Sequence, residues 1–294
     1  MSFSSDEKRE WYQTYMIPKR SGGFRKIEAP KEELKEDQRK ILDTLKPLYS
    51  ASEFCYGGVL KRNIQQAANM HVKNRLKLKM DIHDFFGSCT GEAIERQLLR
   101  NKELDAETVK DITYVCTNYK GVLPQGAPTS PFLANIVAKP MVTAIGKMCK
   151  NLGVTFSIYV DDMIFSGDNM DNLMKARKLA EKIVNHYGFT VKKEKTVLMR
   201  RRQEILGLCS TPAVNHPRLP RKARYRLKGE LHSFEKKLDK FGPDGLDRTY
   251  WMKLCGRVAF ANMANDQYAG RFNAAVLRIN EKMKGHGKHG NQKR

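Results

Sequence analysis

Two adjacent acidic residues, Asp161 and Asp162, stand between two short apolar segments and constrain the fold more than any other feature. Residues 154–158 and 163–167 are rich in branched and aromatic side chains, which predicts two short buried strands. The tetrapeptide Tyr159-Val160-Asp161-Asp162 is therefore predicted to form the tip of a hairpin. Neighbouring carboxylates repel each other unless a cation or another partner offsets the repulsion. For the tetrapeptide alone, a solvated turn is the alternative.

A third acid has a matching context 80 residues earlier. Alternating apolar residues from Leu76 to Met80 lead directly into Asp81, and the pair Phe85-Phe86 follows. An acid at the end of a core strand is the partner that the hairpin acids need, because carboxylates from different strands can bind a pair of Mg²⁺ ions. Asp84 is an alternative ligand by composition, but Asp81 has the better apolar run before it.

The charge of the chain predicts a polyanionic partner. The sequence has 54 Lys and Arg against 32 Asp and Glu, a formal net charge of +22. From His216 to the end there are 19 basic and 7 acidic residues. Ribosomal and histone-like proteins share this property, so charge alone indicates nucleic acid and not an enzyme. The basic residues are not confined to one amphipathic helix, which argues against a membrane surface.

Length and composition are those of a globular protein. With 294 residues and 40% hydrophobic residues, the chain can bury a sizeable core in one to three packed parts. We expect no membrane-spanning apolar segment and no signal peptide. The six cysteines are scattered without a close pair, so we interpret them as buried thiols in a reducing cytoplasm.

Two further segments are candidates for contacts with a substrate. Residues 11–30 read as two strands around a Ser-Gly-Gly turn, with Lys19, Arg20, Arg25 and Lys26 on them. This hairpin is either a cationic flap over a triphosphate or a solvated basic hairpin. Residues 121–131 form a stiff Pro-rich loop around Gln125-Gly126 that leads into an apolar helix, which favours a binding role over a plain connector.

The remaining segments predict structural elements. Helical spacing is expected in 31–49, 91–118 and 173–187, and strands in 189–198 and 204–208. A basic helical subdomain is expected from His216 to about Lys284, with a disordered Gly/His/Lys-rich tail after it.

As a set and in this order, these segments resemble a reverse transcriptase of the compact bacterial type found in retrons and related defence systems. The resemblance is carried by Gly22 to Arg25, Asp81 to Phe86, residues 125–131, Tyr159 to Asp162, Lys195-Thr196 and Leu206-Gly207. The chain departs from typical retron enzymes at two motifs tied to recognition of the retron RNA. It has Ala67 where an Asn is usual and Leu206 where a Thr is usual.

The resemblance implies an α+β right-hand polymerase with an antiparallel palm sheet backed by helices and a helical thumb. Its expected boundaries are fingers 1–75 and 87–120, palm 76–86 and 121–212, thumb 213–284, and a disordered basic tail 285–294.

The resemblance also implies roles for individual residues. Asp81, Asp161 and the backbone carbonyl of Ile82 would bind the catalytic metals, Asp162 would support them, and Lys195 would protonate the leaving pyrophosphate. Phe86 would be the steric gate against a ribose 2′-hydroxyl. The other implied contacts are Lys19 and Arg25 with the triphosphate, Gln125 and Gly126 with the nascent base pair, and Tyr159, Val160, Leu206, Gly207, Arg221 and Arg224 with primer and template.

The implied activity is RNA-directed DNA synthesis with two Mg²⁺ ions, for which Mn²⁺ could substitute. The implied partners are dNTPs, a noncoding RNA that serves as template or primer, the RNA–DNA hybrid product, and an effector or toxin protein. Two alternatives stay open. One is a template-independent or protein-primed polymerase of the same kind, and the other is a non-catalytic nucleic-acid-binding subunit.

Overall fold

The chain forms two compact units in a computed structural model that describes residues 5–19, 22–200, 203–213, 216–264 and 266–289. The first unit consists of Met1–Ala67 and Leu76–Met199, and the second of Ala68–Arg75 and Arg200–Arg294. The first unit contains residues predicted for both fingers and palm, so the boundaries between fingers, palm and thumb stay a prediction. Arg20, which was predicted to lie on the basic hairpin, is outside the described residues.

The first unit combines a hairpin, a four-stranded sheet and helices. Its elements in chain order are α1 (Ser5–Glu10), β1 (Tyr12–Pro18), β2 (Phe24–Pro30), α2 (Glu32–Leu48), α3 (Ile64–Asn69, which crosses into the second unit), β3 (Leu76–Asp81), α4 (Gly91–Leu98), α5 (Ala106–Cys116), α6 (Ser130–Asn151), β4 (Thr155–Tyr159), β5 (Asp162–Gly167), α7 (Met170–His186) and β6 (Val197–Met199). The hairpin β1–β2, with Pro18 opposite Phe24, is the one predicted from the Ser-Gly-Gly turn.

The sheet has the order β4-β5-β3-β6, and all neighbouring strands are antiparallel. Successive residues of a strand face opposite sides. Leu78, Met80 and Phe165 lie on the buried side, in a core that also contains residues of α6 and α7. Lys79 and Asp81 are on the other face of β3. The sheet thus separates an apolar core from a face that carries charged groups.

Helix α6 is mostly a core element. By length and composition alone it could cross a membrane, so the expectation that the sequence contains no apolar segment of that length was wrong. However, 61% of its apolar window is buried inside the protein, as in the core helix of a globular unit. Ala134, Ile136 and Ile145 are among its buried residues.

The segment after α7 differs from the predicted strand over 189–198. The structure has a single bridge between Ile82 and Val191, a 3₁₀ turn over Lys193–Lys195, and the three-residue strand β6. The turn forms because the amide of Lys195 donates to the carbonyl of Lys192 at 3.1 Å. The segment with the alternating pattern therefore pairs with β3, or the residue directly after it, near both of its ends. Between these two pairings it forms the 3₁₀ turn instead of a strand.

The described residues of the second unit form a small hairpin and three helices. Its elements are β7 (Glu204–Ile205), β8 (Leu208–Cys209), α8 (Arg221–Phe241), α9 (Arg248–Met263) and α10 (Ala269–His289). The helices contact one another pairwise, and the rings of Phe234 and Trp251 stack at a centroid distance of 4.9 Å. Phe272 and Ile279 of α10 are buried as well.

Two sequence expectations for this unit need correction. Residues 204–208 are not one strand, because Leu206 and Gly207 have φ of 52° and 81° and form the two-residue turn between β7 and β8. Two positive φ values are typical of the type I′ hairpin turn. In addition, α10 continues to His289, five residues beyond Lys284, where the helical subdomain was predicted to end. The glycines there lower helix propensity without ending the helix.

Candidate active site

The acidic hairpin has a strained two-residue turn. Tyr159 pairs with Asp162 across β4 and β5, so Val160 and Asp161 form the turn. Val160 has φ of 60°, which is rare for a β-branched residue and persists only where the surroundings hold it. Such strain in a native fold points to a functional constraint on this turn.

The residues before α3 hold this turn in place. Ile158 exchanges backbone hydrogen bonds with Phe54 and Tyr56 at 2.9 and 2.8 Å, so residues 54–56 run along the edge of β4. Gly57 follows and lies directly against the turn, since a Cβ built on it would be 2.6 Å from the amide nitrogen of Val160. The side-chain amide of Asn135 donates to the carbonyl of Gly57 at 2.8 Å.

The three predicted acids lie together at one end of the sheet. Asp81 is directly opposite Asp162 in the β3–β5 register, and the amide of Ile82 donates to the carbonyl of Asp161 at 3.0 Å. Asp81 is only 4% exposed. Burial, followed by the negative charges of Asp162 and Asp81, raises the pKa of Asp161. A concentration of negative charge of this kind binds cations.

Two lysines neutralise part of this charge. The ammonium of Lys195 lies 3.0 Å from a carboxylate oxygen of Asp81, and this hydrogen bond raises the pKa of Lys195. The ammonium of Lys79 lies 2.7 Å from a carboxylate oxygen of Asp162. The 3₁₀ turn places Lys195 here, because the amide of Lys192 donates to the carbonyl of Asp81 at 2.7 Å.

The chemistry of the donors fits a hard divalent cation. Carboxylate and backbone carbonyl oxygens are the ligands that Mg²⁺ prefers. In the lysine-paired arrangement, the described residues contain no group of three or more His, Cys, Asp or Glu side chains already arranged to hold a metal ion. The carboxylates of Asp81 and Asp162 each direct an oxygen to an ammonium instead. Binding of a divalent ion would therefore replace or rearrange these ion pairs.

The predicted nucleotide gate lies one turn beyond β3. Phe86 is half-buried, and its ring centroid is 5.7 Å from that of Phe85, which in turn packs against Phe189 at 5.6 Å. The ring of Phe86 thus packs against the buried ring of Phe85, which itself packs against the buried Phe189. Asp84, the alternative ligand, is exposed with φ of 40°, and its carboxylate lies against Gly87 in its own turn.

The predicted triphosphate hairpin and base-pair loop are joined by backbone contacts. The amide of Glu28 on β2 donates to the carbonyl of Gln125 at 2.8 Å. Gly126 has φ of 135°, and a Cβ on it would be 2.8 Å from the carbonyl oxygen of Glu28. A side chain is therefore excluded at this position. Arg25 lies exposed on β2, and Lys19 closes the hairpin turn by donating its amide to Gly23 at 2.9 Å.

The family follows from a direct match. Residues 17–209 match the model of the reverse transcriptase (RNA-dependent DNA polymerase) family, which is more than half of the chain. The chain belongs to this family. The matched range includes every predicted site residue except Arg221 and Arg224, which lie on α8.

The curated relatives that the chain matches are retron reverse transcriptases. The chain is 31% identical over 283 residues to the retron Mx65 reverse transcriptase of Myxococcus xanthus, covering 90% of this chain and 64% of the relative. It is 33% identical over 186 residues to the retron Ec83 reverse transcriptase of Escherichia coli, covering 60% of each. The chain thus spans 60 to 64% of the length of these relatives.

A solved structure confirms the right-hand polymerase fold. Telomerase from Candida albicans, determined in complex with a TWJ fragment of telomeric RNA, matches with a TM-score of 0.53 at 12% identity. The match covers 95% of this chain and 65% of the telomerase chain. At this identity the likeness concerns the fold alone.

The predicted primer and template residues fall in both units. Tyr159 and Val160 belong to the acidic hairpin of the first unit, whereas Leu206 and Gly207 form the β7–β8 turn of the second. Arg221 and Arg224 lie in the first turn of α8. Contacts of these six residues with primer or template stay predictions.

Arg221 and Arg224 differ in their surroundings. Arg221 is exposed, with its guanidinium 5.4 Å from the ring centroid of Tyr225. The side chain of Arg224 is only 15% exposed, 3.9 Å from Asp266 and over the ring of Tyr268. Arg224 is therefore engaged within its own unit, and Arg221 is the better placed of the two for an external phosphate.

Sequence reasoning did not identify Lys79, Gly57 or Asn135 as part of this site. Lys79 carried a usable signal, because it lies two residues before Asp81 and so faces the same side of β3. Gly57 and Asn135 had no such signal. Their roles depend on contacts with residues 78 to 103 positions away in the chain.

Proposed function

We propose that this chain is an RNA-directed DNA polymerase that extends a primer by metal-assisted nucleotidyl transfer. The observation that carries the proposal is the convergence of three acids on one end of the sheet. Asp81 and Asp162 are paired in register, and Asp161 is bonded through its carbonyl to Ile82. Membership of the reverse transcriptase family supports the same activity.

The metal ligands in this proposal are Asp81, Asp161 and the carbonyl of Ile82, with Asp162 in support. A pair of Mg²⁺ ions, or Mn²⁺ in their place, would lower the pKa of the primer hydroxyl and stabilise charge on the leaving phosphate oxygens. The new bond joins the primer 3′-oxygen to the α-phosphorus of the nucleotide, and the bond to pyrophosphate breaks. Lys195 would give a proton to the leaving pyrophosphate once nucleotide binding releases it from Asp81.

The remaining residues would select and orient the substrates. Phe86, held by the buried Phe85, would block a 2′-hydroxyl and so favour dNTPs. Lys19 and Arg25 would bind the triphosphate, because a planar guanidinium suits phosphate oxygens. Gln125 and Gly126 would line the nascent base pair, on a loop that is held against the backbone of β2.

We also propose that the RNA is a dedicated noncoding RNA that supplies the template and primes synthesis, as part of a retron or antiphage defence system. The relatives named as retron reverse transcriptases and the net charge of +22 support an RNA partner. A basic protein holds a nucleic acid backbone with an affinity that falls steeply with salt. An effector or toxin protein is a further expected partner of such a system.

The test is primer extension on a defined RNA template with Mg²⁺ and dNTPs. Asp81→Asn and Asp161→Asn should abolish synthesis while RNA binding survives, and Asp171→Asn should leave synthesis intact. Asp171 is an exposed acid of α7 in the same unit. Synthesis that persists in Asp161→Asn would refute the assignment of the site. Product that forms without template, or that remains linked to protein, would favour a template-independent or protein-primed polymerase.

A further inference from the structure

A cleft of about 480 Å³ lies between α8 and α10 in the second unit. This volume is within the range of sites for small ligands. Each helix contributes one face to it, at the spacing of three and four residues that brings side chains onto one side of a helix. The face of α8 runs from Tyr225 to Glu235. The opposite face begins at Tyr268, immediately before α10, and runs along α10 to Arg278.

The upper walls of the cleft are aromatic. Tyr225 is 61% exposed, and the guanidinium of Arg221 lies 5.4 Å from its ring centroid. The guanidinium groups of Arg224 and Arg271 lie 5.1 and 5.4 Å from the ring centroid of Tyr268. Two tyrosine rings are therefore held in the cleft, with arginines beside them.

The charge of the cleft is positive. Lys228, Arg271 and Arg278 line it together with His232. Glu235 is the acid among the described lining residues, and its carboxylate accepts hydrogen bonds from Arg278 at 2.7 and 2.8 Å. The acid is thus neutralised within the protein, while Lys228 and Arg271 are exposed at the cleft.

The middle of the cleft is open because small residues lie there. Gly229 is in the interior of α8, where glycine weakens a helix. A Cβ on Gly229 would meet nothing within 4 Å, so no close packing requires the glycine. Ala275 faces it from α10. The missing side chains leave room for a flat group between the aromatic residues.

We infer that this cleft binds an unpaired nucleotide of the RNA partner. The base would stack on Tyr225, and the flanking phosphates would contact Lys228 and Arg271. Aromatic stacking beside cations is the way in which proteins bind unpaired bases, whereas a base inside a duplex cannot present its face. An acidic peptide would use the cations but has no need of the rings. The inference rests on the proposed function for the identity of the partner as RNA.

The experiment measures binding of a short single-stranded RNA that carries 2-aminopurine, without metal ions or dNTPs. Stacking of the 2-aminopurine base on tyrosine should quench its fluorescence when the RNA binds to the 294-residue chain. Tyr225→Ala should weaken binding about tenfold and remove the quench, and Tyr225→Phe should retain both because the ring remains. Lys228→Ala should reduce the slope of log affinity against log salt concentration by about one unit. Lys253→Ala on α9 is the control and should change this slope less.

A matched pair of glycine variants tests the cleft itself. Gly229→Leu fills the cleft and should weaken binding about tenfold. Gly256→Leu in α9 is the control, because Gly256 is also an exposed glycine in the interior of a helix and a Cβ on it also meets nothing within 4 Å. Both changes raise helix propensity, so neither should unfold the unit. Equal binding by the two variants would overturn the inference.

Two further outcomes would also overturn it. One is equal affinity for the single strand and for a blunt hairpin of the same composition, since a duplex offers no free base. The other is displacement by poly-glutamate with no quench by RNA, which would make the cleft a protein-docking site. Primer extension is assayed separately. An inactive chain that still shows cleft-dependent quenching would refute the proposed polymerase activity and leave the cleft site standing.

Discussion

Lys79 and Asp162 form an ion pair with an N–O distance of 2.7 Å across the two central strands of the sheet. The contact is diagonal, because Lys79 is opposite Ile164 and Asp162 is opposite Asp81 in the same register. The side chains are only 31% and 20% exposed, so water screens the attraction incompletely. Asp162 is thus neutralised by its own strand neighbour, which distinguishes it physically from the adjacent Asp161.

Removal of this cation should tighten binding of divalent ions. Unit charges at 4 Å attract by about 4 kcal/mol at an effective dielectric constant of 20, and partial exposure reduces this. We expect Lys79→Met to raise the affinity for Tb³⁺ about tenfold, measured by luminescence without substrate. In the absence of metal the same variant should have a lower Tm, because Asp162 loses its partner.

Lys79→Arg is the control, since a guanidinium keeps the charge and should retain both the affinity and the Tm. An affinity of Lys79→Met at or below that of the unchanged chain would show that the ion pair does not govern the charge of the metal site. It would then have only a structural role in the sheet.

Gly57 should be required for the strained turn of the acidic hairpin. A Cβ in Gly57→Ala would be 2.6 Å from the amide nitrogen and 2.7 Å from a methyl group of Val160. The turn must shift, which costs about 1–3 kcal/mol of stability. Because the same shift moves Asp161, DNA synthesis should fall more than tenfold in kcat, with little change in RNA affinity.

Gly167→Ala is the matched control for this prediction. Gly167 is in β5 of the same unit, and a Cβ on it would meet its nearest atoms at 3.8 and 4.0 Å, which is ordinary contact. Equal kcat values for the two variants would show that the approach of Gly57 to Val160 has no catalytic consequence.

The arrangement of the acids could be predicted from local patterns, whereas their partners could not. Alternating apolar residues before Asp81, and the branched and aromatic residues on either side of Asp161 and Asp162, predicted three strands, and the need of the hairpin acids for a cation predicted that Asp81 joins them. The ion pair of Lys79 depends on the register between β3 and β5, and a slip of one residue would place it on the opposite face. The 3₁₀ turn that carries Lys195 was likewise hidden in an alternating sequence.

The tertiary contacts of small residues were also beyond sequence reasoning. Gly57 and Gly126 each approach another backbone to within a distance that excludes a Cβ, and nothing near them in the sequence indicates which segment they meet. The same limit applies to Arg224, for which the family resemblance implied a contact with primer and template. In the structure Arg224 forms an ion pair with Asp266 and lies over the ring of Tyr268.

Glu235 should make the stability of the second unit depend on acidic pH. Hydrogen bonds from Arg278, supported by Lys282, lower the pKa of Glu235 to about 2. The folded pKa is below the ordinary value, so the stabilisation is present above about pH 4.5 and is lost as the pH falls towards 2. We expect Glu235→Gln to lower the free energy of unfolding by about 1–2 kcal/mol at pH 7 and to flatten its decline in acid.

The measurement is urea unfolding followed by fluorescence of Trp251, which is buried in this unit against Phe234. Trp11 should be replaced by Phe in all samples so that the signal reports one unit. Glu281→Gln is the control, because Glu281 is an exposed acid on α10. Parallel pH profiles for the two Gln variants would contradict the assigned role of the Glu235 ion pairs.

Phe86 should determine which sugar the site accepts. Its ring lies on the buried Phe85, so truncation removes the upper ring and leaves the support in place. A ribose 2′-hydroxyl would then meet open space where the ring had excluded it. We expect Phe86→Ala to lower the preference for dNTPs over rNTPs at least tenfold in kcat/KM, mainly by a gain with rNTPs, and Phe86→Tyr to keep the preference. Single-nucleotide incorporation with each sugar measures the ratio, and an unchanged ratio in Phe86→Ala would refute the gate.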